Sequence, residues 1–141
     1  MLRDMVRVLS NLGNNIGLID ERSEIAAMYK GVPQNDIGKR TDVMNNCLKH
    51  IGIRMMIRSM SPQIIATDEI GGIEDEKAIE EAGYAGVRLL LTAHGEAIND
   101  ISERLLKNKV FENIVVLGKS RKPGFIKNIY LLKEDKYVVS Y

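Results

Sequence analysis

The sequence is short of most features that would place it outside the ordinary globular class. It has a single cysteine, Cys47, so an internal disulfide is excluded, and no Cys/His cluster has zinc spacing. A reducing, cytoplasmic setting is the expectation that follows. No apolar run approaches the ~20 residues needed to span a bilayer. The opening residues Met1-Leu2-Arg3-Asp4 carry no signal-peptide core. An excess of one charge sign is also missing. The net charge of +1 recommends neither nucleic acid nor an anionic membrane as the main partner. What remains is a chain of 141 residues, 45% hydrophobic and 28% charged, enough for one domain over 1–141 and too few for two ordinary ones.

The hydrophobic pattern alternates between strand and helix. Leu2, Met5, Val6, Leu9 and Leu12 recur at helical spacing, and Gly13 follows as a stop. Ile16-Gly17-Leu18-Ile19 read as a short buried strand ending in Asp20-Glu21. Residues 22–42 read as a long polar connection broken by Gly31, Pro33 and Gly38, and it carries Arg22 and Arg40. A helix follows, clearest at Ile53, Met56, Ile57 and Met60. Arg54 and Arg58 sit four apart on its flank, where two solvated arginines are the plain structural reading. Glu74 to Ala82 is a helix with acids in its first turn. Val87 to Thr92 is a strand that runs into Thr92-Ala93-His94-Gly95. Ile98, Ile101 and Leu105 mark another helix, and Ile114 to Leu117 another strand. Phe125 to Leu132 and Tyr137 to Tyr141 form a terminal hairpin through Lys133 to Lys136. The predicted fold class is α/β, with a mostly parallel sheet and a C-terminal β-hairpin.

The chemistry-bearing stretch is Ile64-Ile65-Ala66-Thr67-Asp68-Glu69. A short apolar strand, preceded by Pro62, ends in two adjacent carboxylates, and Gly71-Gly72 follow. One reading is a buried strand that meets solvent at an acidic pair. The other is the acidic strand of a P-loop nucleotide hydrolase, where the Asp holds magnesium and the Glu polarises the attacking water. That chemistry needs hard oxygen donors at the carboxyl edge of a sheet, where phosphates bind. Gly118-Lys119-Ser120 imitates the end of a phosphate loop, but Asn113 stands where the motif needs glycine. Cys47 and the methionines Met28, Met44, Met55, Met56 and Met60 read as packing residues.

Several motifs in one collinear order carry a resemblance. Asp20-Glu21-Arg22-Ser23-Glu24-Ile25, Gly31 to Gly38, Arg40-Thr41-Asp42-Val43, Ile57 to Pro62, the acidic strand and Thr92-Ala93-His94-Gly95 resemble the stage III sporulation AA family. These are ATPases related to the type II and type IV secretion and pilus-motor ATPases. The resemblance implies an incomplete RecA-like P-loop NTPase three-layer fold. It implies an acidic box at Asp20, Glu21 and Glu24, with Glu21 and Glu69 the two candidates for activating water. It implies Asp68, with Asp20, as the magnesium acids, and Arg54 and Arg58 as arginines of the helix before the acidic strand, some of which reach γ-phosphate in relatives. Arg40 and Thr92 are implied as nucleotide contacts, and His94 as part of a histidine box that senses the γ-phosphate. The cofactors implied for the whole protein are ATP and Mg2+. The partners implied are further copies of the chain, as a hexamer, and components of a sporulation membrane secretion complex, which would make the protein peripheral to the membrane.

The sequence departs from this family in having no Gly-x-x-x-x-Gly-Lys-Ser/Thr anywhere. The expectation is a carboxyl-terminal part of an ATPase domain, starting inside the helix that the phosphate loop opens. It would be inactive alone, with a sheet lacking an interior strand. Two rivals are a non-catalytic assembly module on a degenerate P-loop NTPase fold, and a nucleic-acid binder using Lys119, Arg121, Lys122 and Lys127. The central expectation is that Asp20, Glu21, Arg58, Asp68, Glu69 and His94 converge along one lip of a parallel sheet.

Overall fold

The computed structural model describes residues 1–118, 124–133 and 136–140. Residues 121–123 of the expected turn at 121–124, the hairpin turn at 134–135 and most of the basic cluster from Lys119 lie outside the described residues. The chain groups into two compact units, Met1–Ala93 and His94–Tyr141.

In the first unit, α1 (Leu2–Asn11) buries Leu2, Val6 and Ser10, residues four apart on one face. It stops at Gly13, whose φ of +100° suits a residue without a Cβ. Strand β1 (Ile16–Asp20) is buried along its whole length, which is why it reads as a continuous apolar run. The next segment is richer than a polar connection. The short strands β2 (Met28–Tyr29) and β3 (Val32–Pro33) pair antiparallel about Lys30-Gly31, both at positive φ, as a tight hairpin requires. Ile25, Ala26 and Ile37 of the same segment enter the core beside Leu18 and Ala66.

Strand β4 (Thr41–Asn45) then pairs parallel with β1, Thr41 opposite Ile16 and Asn45 opposite Asp20. It falls where the sequence suggested the end of a loop. Its Thr-Asp-Val alternation is weak because it is an edge strand, with Asp42 exposed. Helix α2 (Lys49–Ser59) crosses back to β5 (Ile64–Thr67), α3 (Ile73–Tyr84) follows, and β6 (Arg88–Leu91) completes a four-stranded parallel sheet in the order β4-β1-β5-β6.

α2 lies unusually close to β1. A Cβ at Gly52 would stand 2.8 Å from Cγ1 of Ile19, and one at Gly17 would meet the sulfur of Met56. These contacts also fix the helix direction. Its start lies by the carboxyl end of β1 and its last turns by the amino end.

The second unit contains a 3-10 turn at Ile98–Asp100, helix α4 (Glu103–Lys107) and a three-stranded antiparallel sheet. The single helix expected over 98–105 is thus split, because Ile101 is extended and Ser102 starts a new turn. Leu105 is the buried anchor of α4. Strand β7 (Asn113–Gly118) pairs with β8 (Phe125–Lys133), and β8 with β9 (Lys136–Val139). A bulge near Leu117 lets the ring of Phe125 cover Gly118.

Gly52→Ala is expected to destabilise the first unit by about 1–3 kcal/mol through overpacking against Ile19, read as a lower midpoint in urea denaturation.

Candidate functional site

The parallel register brings four strand ends to one lip. Ile19 is level with Thr67, and Thr67 with Leu91, so Asp20, Asp68-Glu69 and Thr92 follow one another across the sheet. Acids gather there for a physical reason. The carboxyl edge of a parallel sheet is where the chain leaves the core and where loop and helix N–H groups are available.

Asp20 has no exposed surface, and its charge is met by backbone. Oδ1 accepts the N–H of Glu24 at 2.9 Å, and Oδ2 accepts those of Ile25 at 3.1 Å and Ala26 at 2.8 Å. Three amides engage both oxygens of this buried carboxylate, so it clamps the loop after β1. It is not placed to offer oxygens to a metal as the sequence suggested. Glu21, next along, takes the ammonium of Lys49 at 2.6 Å. Lys49 belongs to the first turn of α2 and its side chain is only 11% exposed.

Asp68 is half-buried. Burial pushes its carboxyl above the ordinary aspartate value, Lys49 and its own backbone pull it back, and Glu69 adds to the rise. Glu69 sits at a φ of +43°, in the left-handed region. Thr92 holds it there: the Glu69 N–H donates to Thr92 Oγ1 at 3.0 Å, and the Ile70 N–H to the Thr92 carbonyl at 2.8 Å. Thr92 therefore positions the acid's backbone. The Glu69 carboxylate meets the guanidinium of Arg22 at 2.5 Å, and Arg22 also reaches Glu24 at 3.3 Å. These two carboxylates, Glu24 first, raise the already high pKa of Arg22.

The other predicted residues are placed elsewhere. Arg54 forks onto Glu81 of α3, with both nitrogens near 3 Å, and holds α2 to α3. Arg58 lies in the last turn of α2, exposed, roughly 13 Å along the axis from Lys49 and toward the amino edge. Arg40 precedes β4. Its Nε donates to Asn15 and its N–H to Ser10, so it too belongs to the amino edge, about a strand length from the acids. His94 is exposed and is the first residue of the second unit. So the lip collects Asp20, Glu21, Asp68, Glu69 and Thr92, and it does not collect Arg40 or Arg58.

Sequence reasoning missed Lys49 and the His50–Asp75 pair, whose Nδ1 and Oδ1 are 3.5 Å apart. One signal was available. A lysine and a histidine open α2 with no acid in the first turn, against the helix dipole, which implies a specific partner. Among the described residues no three His, Cys, Asp or Glu side chains converge to hold a metal ion. Magnesium needs fewer, since it commonly takes one or two carboxylates and completes its shell with phosphate and water. Asp68 fits that requirement and Asp20 does not.

A parallel sheet with acids on its carboxyl lip and helices following its strands is an α/β fold of the P-loop NTPase kind, in part. In agreement, the chain superposes on a solved structure titled "X-ray structure of the Legionella pneumophila ATPase DotB" with a TM-score of 0.60 over 95% of this chain and 41% of that one, at 14% identity. The profile of the family described as "Sporulation stage III, protein AA" matches residues 1–137, and the chain belongs to that family. It is 41% identical over 140 residues to stage III sporulation protein AA of Bacillus subtilis, covering 92% of this chain and 46% of that protein. It is 30% identical over 117 residues to the uncharacterized protein ycf45 of Porphyra purpurea, covering 81% of this chain and 20% of that protein. The chain thus spans about half or less of the relatives it matches.

The two aspartates predict opposite responses. Asp20→Ala strands three amides, two of them buried, and is expected to cost about 2–4 kcal/mol in denaturant melts. Asp68 has a raised pKa, so its contribution to stability is full below the ordinary aspartate value and is lost as pH rises through the folded one. Asp68→Asn should therefore raise the melting temperature at pH 7 by about 1–3 °C, and the gain should vanish in acid.

Proposed function

We propose that this chain carries the acidic half of a nucleoside triphosphatase site, in a sporulation ATPase that works as a homo-oligomer on a membrane secretion complex. The observation that supports the reading is the adjacent Asp68-Glu69 pair at the tip of β5, beside Glu21 just past the end of the neighbouring strand and with Thr92 fixing the Glu69 backbone. Family membership and the ATPase title of the structural neighbour point the same way.

The residues divide the work. Asp68 would hold Mg2+, which when bound neutralises charge on the phosphoryl oxygens. Glu69 would orient the water that attacks the γ-phosphorus and accept its proton as the bond to the leaving diphosphate breaks. Glu21 is tied to Lys49 and would set the charge beside Asp68 rather than act on water itself. Arg58, exposed and away from its own lip, would serve a neighbouring copy. Among the described residues no helix is long and apolar enough to cross a membrane.

A second reading is a non-catalytic assembly module. It draws on the pairing of the lip acids with the chain's own Lys49 and Arg22. Calorimetry separates the two. A chain extended upstream to a phosphate loop is expected to bind MgATP and hydrolyse it, with Glu69→Gln abolishing turnover and sparing binding. The 141-residue chain, which has no phosphate-loop motif, is expected to show no measurable turnover. Absence of binding by the extended chain overturns the ATPase reading, and turnover by the short chain overturns its inactivity.

A further inference from the structure

We infer that Lys49 is a substrate-binding residue: Glu21 holds its ammonium at the lip, and its remaining N–H groups donate to a phosphoryl oxygen of a magnesium–polyphosphate complex. The inference rests on the reading of the lip as half of a triphosphatase site, and it adds a cation to that half.

Three observations carry it. First, Lys49 is nine-tenths buried, with 9% of its surface exposed. An ammonium has three N–H donors. One meets Glu21 at 2.6 Å, and the other two have no acceptor among the described residues. Buried donors cost free energy until something accepts from them. A structural tie between α2 and the loop after β1 needs only the one bond that exists. Second, the ammonium has a fixed place on the lip. Lys49 is the first residue of α2, which starts by the carboxyl end of β1 and is seated on Ile19 through Gly52. Its charge is felt at Asp68, just past the end of the neighbouring β5, although its ion pair is with Glu21. Third, the helix start is bare. No side chain caps it and no acid stands in its first turn, so its amides and dipole add positive potential beside the ammonium.

The surroundings select the form of the ligand. Glu21, Glu24, Asp68 and Glu69 outnumber Lys49 and Arg22 on this lip and repel a bare anion. A polyphosphate is accepted as its magnesium complex, with Asp68 serving the metal and Lys49 an oxygen. Phosphoryl oxygens take short charge-assisted bonds from an ammonium, which suits lysine as a point charge.

The test uses the 141-residue chain with inorganic tripolyphosphate and Mg2+, each at millimolar concentration, together and alone. NMR follows the Nζ–H and Cε–H resonances of the lysines. The Lys49 signal is expected to move and saturate with both present and to move far less with either alone. Lys77 is the matched control, an ammonium paired with one carboxylate, Glu74, and its signal is expected to stay still. Lys49→Gln is expected to weaken binding about fivefold to tenfold. Lys77→Gln removes the same charge and releases the same kind of acid, and is expected to weaken binding less than about twofold. The titration of the native chain decides the matter should Lys49→Gln unfold. A Lys49 signal that stays still, or equal losses in the two variants, overturns the inference. An equal shift with tripolyphosphate alone or Mg2+ alone overturns the complex as the ligand. The ATPase reading is judged separately, by calorimetry of the extended chain: MgATP binding there with a still Lys49 signal here removes Lys49 and leaves that reading standing.

Discussion

The lip of the sheet depends on one buried charge. Asp20 sits at the end of β1 with no exposed surface, and it survives there because three backbone amides from Glu24, Ile25 and Ala26 meet it. That contact folds the loop back onto the sheet and drops Ile25 and Ala26 into the core beside Leu18 and Ala66. It also sets the directions in which Glu21, Arg22 and Glu24 leave the backbone. An ordinary apolar residue at this position would leave the loop without a register and the neighbouring charges without an address.

Much of the fold could be read from the sequence because its strands are buried on both faces. Ile16–Ile19 and Ile64–Ala66 are continuous apolar runs, each closed by acids, and they became the two central strands. β4 escaped because an edge strand needs little hydrophobicity: Thr41 to Asn45 buries only part of its surface. The hairpin at Met28–Pro33 was hidden for a similar reason, being two residues on each side. The acids of the site were legible by their place at strand ends. The arginines were not, because a helix pattern shows which face a residue occupies and not how far along the sheet it lies. α2 runs back from the carboxyl edge, so Arg58 ends up near the strand starts.

The polar side chains at the lip come in pairs across elements. Lys49 of α2 answers Glu21 of the β1 loop, Arg22 of that loop answers Glu69 of the β5 loop, and His50 faces Asp75 at the start of α3. Each pair ties two different segments, so the lip is held by side chains where the strands themselves have ended. The Arg22–Glu69 pair, the most exposed of the three, contributes little stability, on the order of 0–1 kcal/mol. The weight of all three lies in orientation.

The two-pronged grip of Arg54 on Glu81 gives this arrangement an unequal mechanical character. It rivets α2 to α3, and Gly52 seats α2 hard against β1, so those helices and the sheet form one stiff jaw. The facing side is the loop after β1, held by Asp20 and by Ile25 and Ala26 in the core. Lys49 is thus mounted on the stiff side, whereas Arg22 rides on the loop.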